Sequence, residues 1–203
     1  MTQALLNFLA LLGRTMNDKD QVFPLQEIVK HFALERVSKS PAVFDVQKLE
    51  WMNGVYIRQL PVEELARRVW PRLAGKGWVT GEAGQGPGWE KVCGLAKLDQ
   101  ERWKYLADAE ANAGFYFEAP TEYDGLAGET LAKFPALKDG LNEFRTGLVE
   151  APFTAEALEA HARAFVASRN LKLKDLAQVV RVALSGKPVS PPLFAVMALL
   201  GRE

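Results

Sequence analysis

Apolar residues recur at three- and four-residue spacings almost from one end of this chain to the other, the signature of helices with one buried face. Leu5, Phe8, Leu9 and Leu12 form the first such face, closed by Gly13. Val62, Leu65, Ala66, Val69 and Leu73 form a second, with Pro61 predicted as the first helical residue, where a missing N–H costs nothing. Leu173, Leu176, Ala177, Val180 and Leu184 form a third, ended by Gly186 and Pro188. Leu193, Val196, Met197 and Leu200 form a fourth, with Ser190-Pro191 expected as cap and first turn and Gly201 as the stop. Thr154 is placed to cap a helix running through Ala167. No stretch alternates with period two for long enough to predict a strand, so the expected fold class is all-α, built of helical bundles.

Two breaks divide the pattern. Gly75 to Gly88 holds six glycines and Pro87 and reads as a flexible linker between bundles. It lacks the preceding strand that a phosphate-cradling glycine loop needs. A second break runs from Ala119 to Gly128.

Composition changes this picture little. The chain has 203 residues, 48% hydrophobic and 25% charged, with zero net charge, an ordinary globular mixture. Zero net charge argues against non-specific coating of nucleic acid, but charge is unevenly spread. Tyr105 to Glu129 carries six acidic residues and no basic one, whereas Ala162 to Lys187 carries six basic residues against Asp175 alone. A polyanion is therefore expected on the latter part.

Candidate chemistry is sparse. Cys93 is the single cysteine, which excludes an internal disulfide, suits a reducing cytoplasm and is expected as a small buried thiol. His31 and His161 have no partners at metal-ligand spacing, so no metal site and no catalytic residue is predicted. No apolar run approaches the roughly 20 residues of a membrane span.

Longer motifs are more specific. Phe44 to Arg58 (FDVQKLEWMNGVYIR) resembles the segment just downstream of the catalytic domain in bacterial glutamyl-tRNA synthetases. Ala4 to Gly13, Leu34 to Asp45, Val182 to Gly186 and Pro191 to Gly201 match other blocks of that family; the middle, about residues 75 to 150, matches weakly. Arg14 stands where the family commonly has tryptophan. Arg36-Val37-Ser38-Lys39-Ser40 looks like the lysine-serine signature of class I synthetases, but that lysine acts on phosphates held by a nucleotide fold, and helices precede it here. Ser40-Pro41 is read as a turn.

The resemblance implies a stem-contact segment over 1–60 and two anticodon-binding subdomains over 61–120 and 121–203. It implies tRNA(Glu) as partner, together with an upstream catalytic domain. ATP and magnesium would serve that domain, and no cofactor is expected on this chain. Met1-Thr2 directly before a mid-protein helix favours an expressed fragment over a free-standing tRNA-binding paralogue. The family's terminal basic helix has no counterpart before Glu203. A helical protein-interaction module remains the alternative from another class, motivated by the acidic run.

Residue roles carry over position by position. The family's discriminating arginine lies in a Gln-x-Arg helix, here Gln100-Glu101-Arg102, at the edge of a stripe of Val92, Leu95, Ala96, Trp103 and Leu106. Arginine offers only donors. Cytosine's pairing edge presents two adjacent acceptors where guanine's presents two donors, so Arg102 would favour the glutamate anticodon's third base over glutamine's. Arg181, Ser190 and Leu193 occupy other anticodon-facing family positions, and Ser190 reads equally well as a helix cap. Lys48, Arg58, Arg163 and Lys174 are candidates for phosphate and stem contacts, which position an RNA without specifying it. Trp51 and Tyr56, at helical spacing in an apolar segment, are expected in the core.

Overall fold

The computed structural model describes residues 2–12, 21–33, 43–123, 125–149 and 152–202. Among these residues every regular element is a helix: α1 (Thr2–Leu11), α2 (Leu25–His31), α3 (Val46–Arg58), α4 (Val62–Gly75), α5 (Gly86–Asp99), α6 (Ala107–Asn112), α7 (Gly125–Ala132), α8 (Pro135–Gly147), α9 (Ala155–Ser168), α10 (Leu173–Ser185) and α11 (Leu193–Leu200). Short 3₁₀ turns cover Gln100–Arg102 and Gly114–Tyr116. Gly13, Arg14 and the Arg36 to Pro41 stretch lie outside the described residues.

Helix ends follow local chemistry. Asp45 caps α3 by accepting from the Lys48 amide at 3.0 Å, and Thr154 caps α9 by accepting from the Ala157 amide at 3.3 Å. Glu63 and Glu64 sit in the first turn of α4, where the positive end of the helix dipole favours them. Pro61 precedes that helix as its cap residue rather than opening it. Gly186 ends α10 in the left-handed conformation, φ 70°, its N–H reaching the Val182 carbonyl at 2.8 Å. α11 begins only at Leu193, after Pro192, so Ser190 does not cap it.

Three apolar cores organise the helices. Ala4, Phe8 and Met52 join α1 to α3. Leu65, Val69, Leu73, Val92, Leu95, Trp103 and Tyr116 form the centre of a second, around α4, α5 and α6. Leu137, Phe144, Leu158, Phe165, Leu176 and Val179 form the third, around α8, α9 and α10. Helix α11 serves two of these, giving Val196 to the second and Leu193 and Met197 to the third. At about 1.5–3 kcal/mol for each large apolar side chain buried, this shared helix ties the two bundles firmly.

Several sequence expectations change. The glycine run connects α4 to α5, which pack side by side in one core, so it is a hairpin loop within a bundle rather than a linker between bundles. Gly81 takes φ 82° there, and its carbonyl accepts from Trp70 Nε1 at 3.4 Å. The first helix turns Ala4, Asn7 and Phe8 inward and leaves Leu5 and Leu9 exposed. The buried Asn7 selects that face: its Nδ2 donates to the Gln21 carbonyl, and its Oδ1 accepts from the Phe23 amide and the Tyr56 hydroxyl. Trp51 is exposed (47%), while Tyr56 is half-buried, its one hydroxyl proton shared between Asn7 Oδ1 and the Phe23 carbonyl at 2.7 Å. Cys93 is half-buried on α5, and burial, assisted by Glu63 and opposed by Arg67, raises its pKa and keeps the thiol protonated.

Candidate nucleic-acid interface

The predicted continuous helix through Arg102 is interrupted. α5 stops at Asp99, Gln100–Arg102 forms a 3₁₀ turn, and Trp103 is extended and buried in the second core. Gln100 explains the break. Its Nε2 points to three carbonyls at the end of α3, Ile57 at 2.9 Å, Leu60 at 2.7 Å and Arg58 at 3.3 Å. That clasp satisfies acceptors a helix C-terminus leaves open. It also turns Arg102 outward while the indole of Trp103 packs inward. Downstream, Asp108, in the first turn of α6, accepts from the Lys104 and Tyr105 amides.

Arg102 reaches across to the other bundle. Its Nη1 donates to the Ser190 carbonyl at 3.2 Å. Arg181, on α10, donates from Nε to Ser190 Oγ at 3.0 Å and from Nη1 to Gln178 Oε1 at 3.0 Å. Ser190 therefore receives both guanidinium groups, one on its backbone and one on its side chain. Its hydroxyl is engaged by Arg181 and by the Pro191 carbonyl, which is why no capping role is left for it. Burial first, and then the neighbouring Arg102 charge, lower the Arg181 pKa. Two cations held this close create a focused positive potential.

Arg102 and Ser190 border a cleft of about 240 Å³ lined by Asp99, Arg102, Trp103, Asn112, Phe115, Ser185, Lys187, Val189, Ser190 and Pro191, with Arg181 behind its wall at Ser190. One wall comes from the second core and the other from the loop between α10 and α11. Lys187 Nζ crosses it to Asn112 Oδ1 at 3.4 Å. Ser185 shapes the far wall, its hydroxyl bonding the Arg181 and Lys187 carbonyls. Asp99 sits at the floor, 5% exposed, with Oδ2 accepting from the Tyr116 hydroxyl at 3.0 Å and Oδ1 4.0 Å from Arg102 Nε. Burial lifts its pKa to about 6, against the opposing pull of Tyr116 and Arg102. Trp103 Nε1 is buried without a hydrogen-bond partner.

The remaining sequence candidates lie elsewhere. Leu193 is packed in the third core and does not line the cleft, so its side chain faces its own bundle rather than a ligand there; the apolar spacing that placed it on a helix face also buries it. Arg58 lies 3.8 Å from Glu101, and Arg163 pairs with Glu159 one turn away at 2.6 Å. Lys48 is half-buried on α3 and Lys174 exposed on α10. None of these four lines the cleft. His161 packs on Phe144 and His31 pairs with Glu27. Among the described residues no group of three His, Cys, Asp or Glu could hold a metal ion. Among them, too, no helix is long and apolar enough to cross a membrane.

Sequence reasoning missed Asp99, Asn112, Phe115 and Lys187. Only the Gln-x-Arg motif hinted at them, since it marks the turn around which they assemble.

Comparison with known proteins places this architecture. The fold is that of part of a glutamate tRNA ligase from Elizabethkingia meningosepticum, with a TM-score of 0.85, 22% identity, and coverage of 98% of this chain and 38% of that one. Residues 64–203, more than half of the chain, match the family model described as anticodon binding domain. The chain belongs to that family. Residues 1–51 match the model for tRNA synthetases class I (E and Q), catalytic domain. Curated relatives include a glutamate–tRNA ligase from Thermus thermophilus, 38% identical over 208 residues, and one from Moorella thermoacetica, 32% identical over 204 residues. Both alignments cover 100% of this chain, which spans 41–42% of those relatives' length.

Proposed function

We propose that this chain recognises the anticodon arm of tRNA(Glu), as the RNA-reading part of a glutamate–tRNA ligase. The observation that carries the reading is the meeting of Arg102 and Arg181, from separate bundles, at Ser190 on the wall of one cleft. An unstacked base entering there meets fixed donors whose planar groups favour adjacent acceptors. Arg102 favours cytosine over guanine at the third anticodon position, and Arg181 supports the loop more generally. Lys48, Arg58, Arg163 and Lys174 act on phosphate and stem, outside the cleft.

The ATP- and magnesium-dependent joining of glutamate to tRNA belongs, in this reading, to a catalytic domain beyond these residues, in a cytoplasmic enzyme. Leu5, Leu6 and Leu9, 40–47% exposed within the segment that matches the catalytic-domain model, support such a neighbour packing against α1. Filter binding at low salt with glutamate tRNA and an unrelated tRNA tests the proposal. Preferential retention of the glutamate tRNA is expected. Equal retention would leave a helical interaction module as the better account.

A further inference from the structure

Arginine donors alone do not complete the reading of a cytosine. They match its O2 and N3 acceptors, but the N4 amino group is a donor and needs an acceptor beside them. Without one, uracil is rejected only through its N3–H, which meets a donor, and a base that merely lacks the amino group binds as well as cytosine. The distinction matters chemically: cytosine, uracil and guanine at the third anticodon position belong to glutamate, lysine and glutamine codons respectively.

Asp99 is the acceptor the cleft supplies. It lines the same space as Arg102, and its Oδ1 stands 4.0 Å from Arg102 Nε. Oδ2 is already bonded to the Tyr116 hydroxyl, which fixes the carboxylate's orientation and leaves Oδ1 as the oxygen on the arginine's side. Two neighbouring acceptors on the cleft wall are already engaged, Ser190 O by Arg102 and Asn112 Oδ1 by Lys187. A pKa of about 6 keeps the carboxyl ionised at neutral pH.

Resting on the anticodon reading above, we propose that Asp99 is a specificity-determining residue. Beside Arg102 it presents two donors next to one acceptor, the pattern of a guanine pairing edge, and so selects cytosine against uracil. Arg102 excludes guanine through its donors. Asp99 adds to the rejection of uracil, whose N3–H already meets a donor, because the O4 of uracil would face a carboxylate oxygen with no proton between them.

The test uses the full chain and anticodon-arm hairpins whose third base is cytosine, uracil, guanine or pyrimidin-2-one, which is cytosine without its amino group. Wild type is expected to bind the cytosine arm about tenfold more tightly than the uracil and pyrimidin-2-one arms, the size of one hydrogen bond to a charged group. Asp99→Asn, which turns an amide N–H₂ or carbonyl toward the base without the negative charge, should bring the pyrimidin-2-one ratio to within about threefold and narrow the uracil ratio. Its preference for cytosine over guanine should persist, since Arg102 is unchanged. Wild type binding the pyrimidin-2-one arm as tightly as the cytosine arm would overturn the role of Asp99, whether or not the variant folds. An unaltered cytosine-to-uracil ratio in a folded Asp99→Asn variant would do the same. Loss of the cytosine-to-guanine preference in wild type would instead sink the anticodon reading itself.

Discussion

At the residue scale, Ser190 shows how a local rule yields to a tertiary partner. A serine before a proline and an apolar helix reads as a cap, yet its hydroxyl is drawn to Arg181 nine positions earlier, and the helix opens three residues later. Ser190→Ala removes that acceptor from a half-buried guanidinium, with an expected cost of about 1–2 kcal/mol in urea unfolding. Arg181→Ala should weaken anticodon arms of every third base alike, by about tenfold in filter binding, because Arg181 braces the cleft wall rather than selecting one base. Asp99 gives a pH signature. Its folded pKa, about 6, lies above the ordinary 3.8, so the folded state holds the proton more tightly than the unfolded chain. Its stabilising contribution is therefore complete below pH 3.8 and is lost as pH rises to about 6. Comparing wild type with Asp99→Asn by denaturant titration at pH 4 and pH 7 should show the difference moving against wild type, by on the order of 2–3 kcal/mol. A residue of this kind has no periodic signature, so nothing short of Tyr116, Arg102 and the cleft assembled around it reveals its role.

At the element scale, helix faces were legible wherever the packing partner lay on a neighbouring helix of regular spacing. Leu65, Val69 and Leu73 on α4, and Leu176 and Val180 on α10, are all buried as their periodicity predicts. The first helix was misread because Leu5 and Leu9 outrank Asn7 on any hydrophobic scale, while the actual packing is decided by Asn7 bonding Phe23 and Tyr56. The break after α5 was hidden for a similar reason, since Gln100 is an ordinary helix former until the end of α3 offers it carbonyls. Gly186 was readable as a stop, and the structure adds why nothing else fits. Its φ is 70°, and a Cβ there would stand 2.7 Å from the Glu122 carbonyl oxygen. Gly186→Ala should therefore destabilise the chain by about 1–3 kcal/mol in urea unfolding. It should also weaken RNA binding, because Ser185 and Lys187 on either side line the cleft.

At the scale of the whole molecule, zero net charge coexists with a cleft lined by Arg102, with a second guanidinium, that of Arg181, bonded to Ser190 on its wall. The acidic run and the basic run predicted from sequence do not describe this site. One arginine comes from the border of the first and the other from within the second, and α11, packed into both bundles, holds them in register. Long-range charge should still govern affinity. Arg163→Ala and Lys174→Ala are each expected to weaken cytosine and guanine arms equally and to reduce the slope of log affinity against log salt by about 1. A salt titration from low to moderate ionic strength reads this directly.

The most direct measurement is the affinity of wild type and Arg102→Gln for two anticodon arms differing only in the third base, cytosine or guanine. Wild type should prefer cytosine by about tenfold or more, and Arg102→Gln should lose most of that preference while retaining much of its overall affinity. An Arg102→Gln protein that discriminates between the two arms as wild type does would show that the guanidinium at this cleft is not what reads the base.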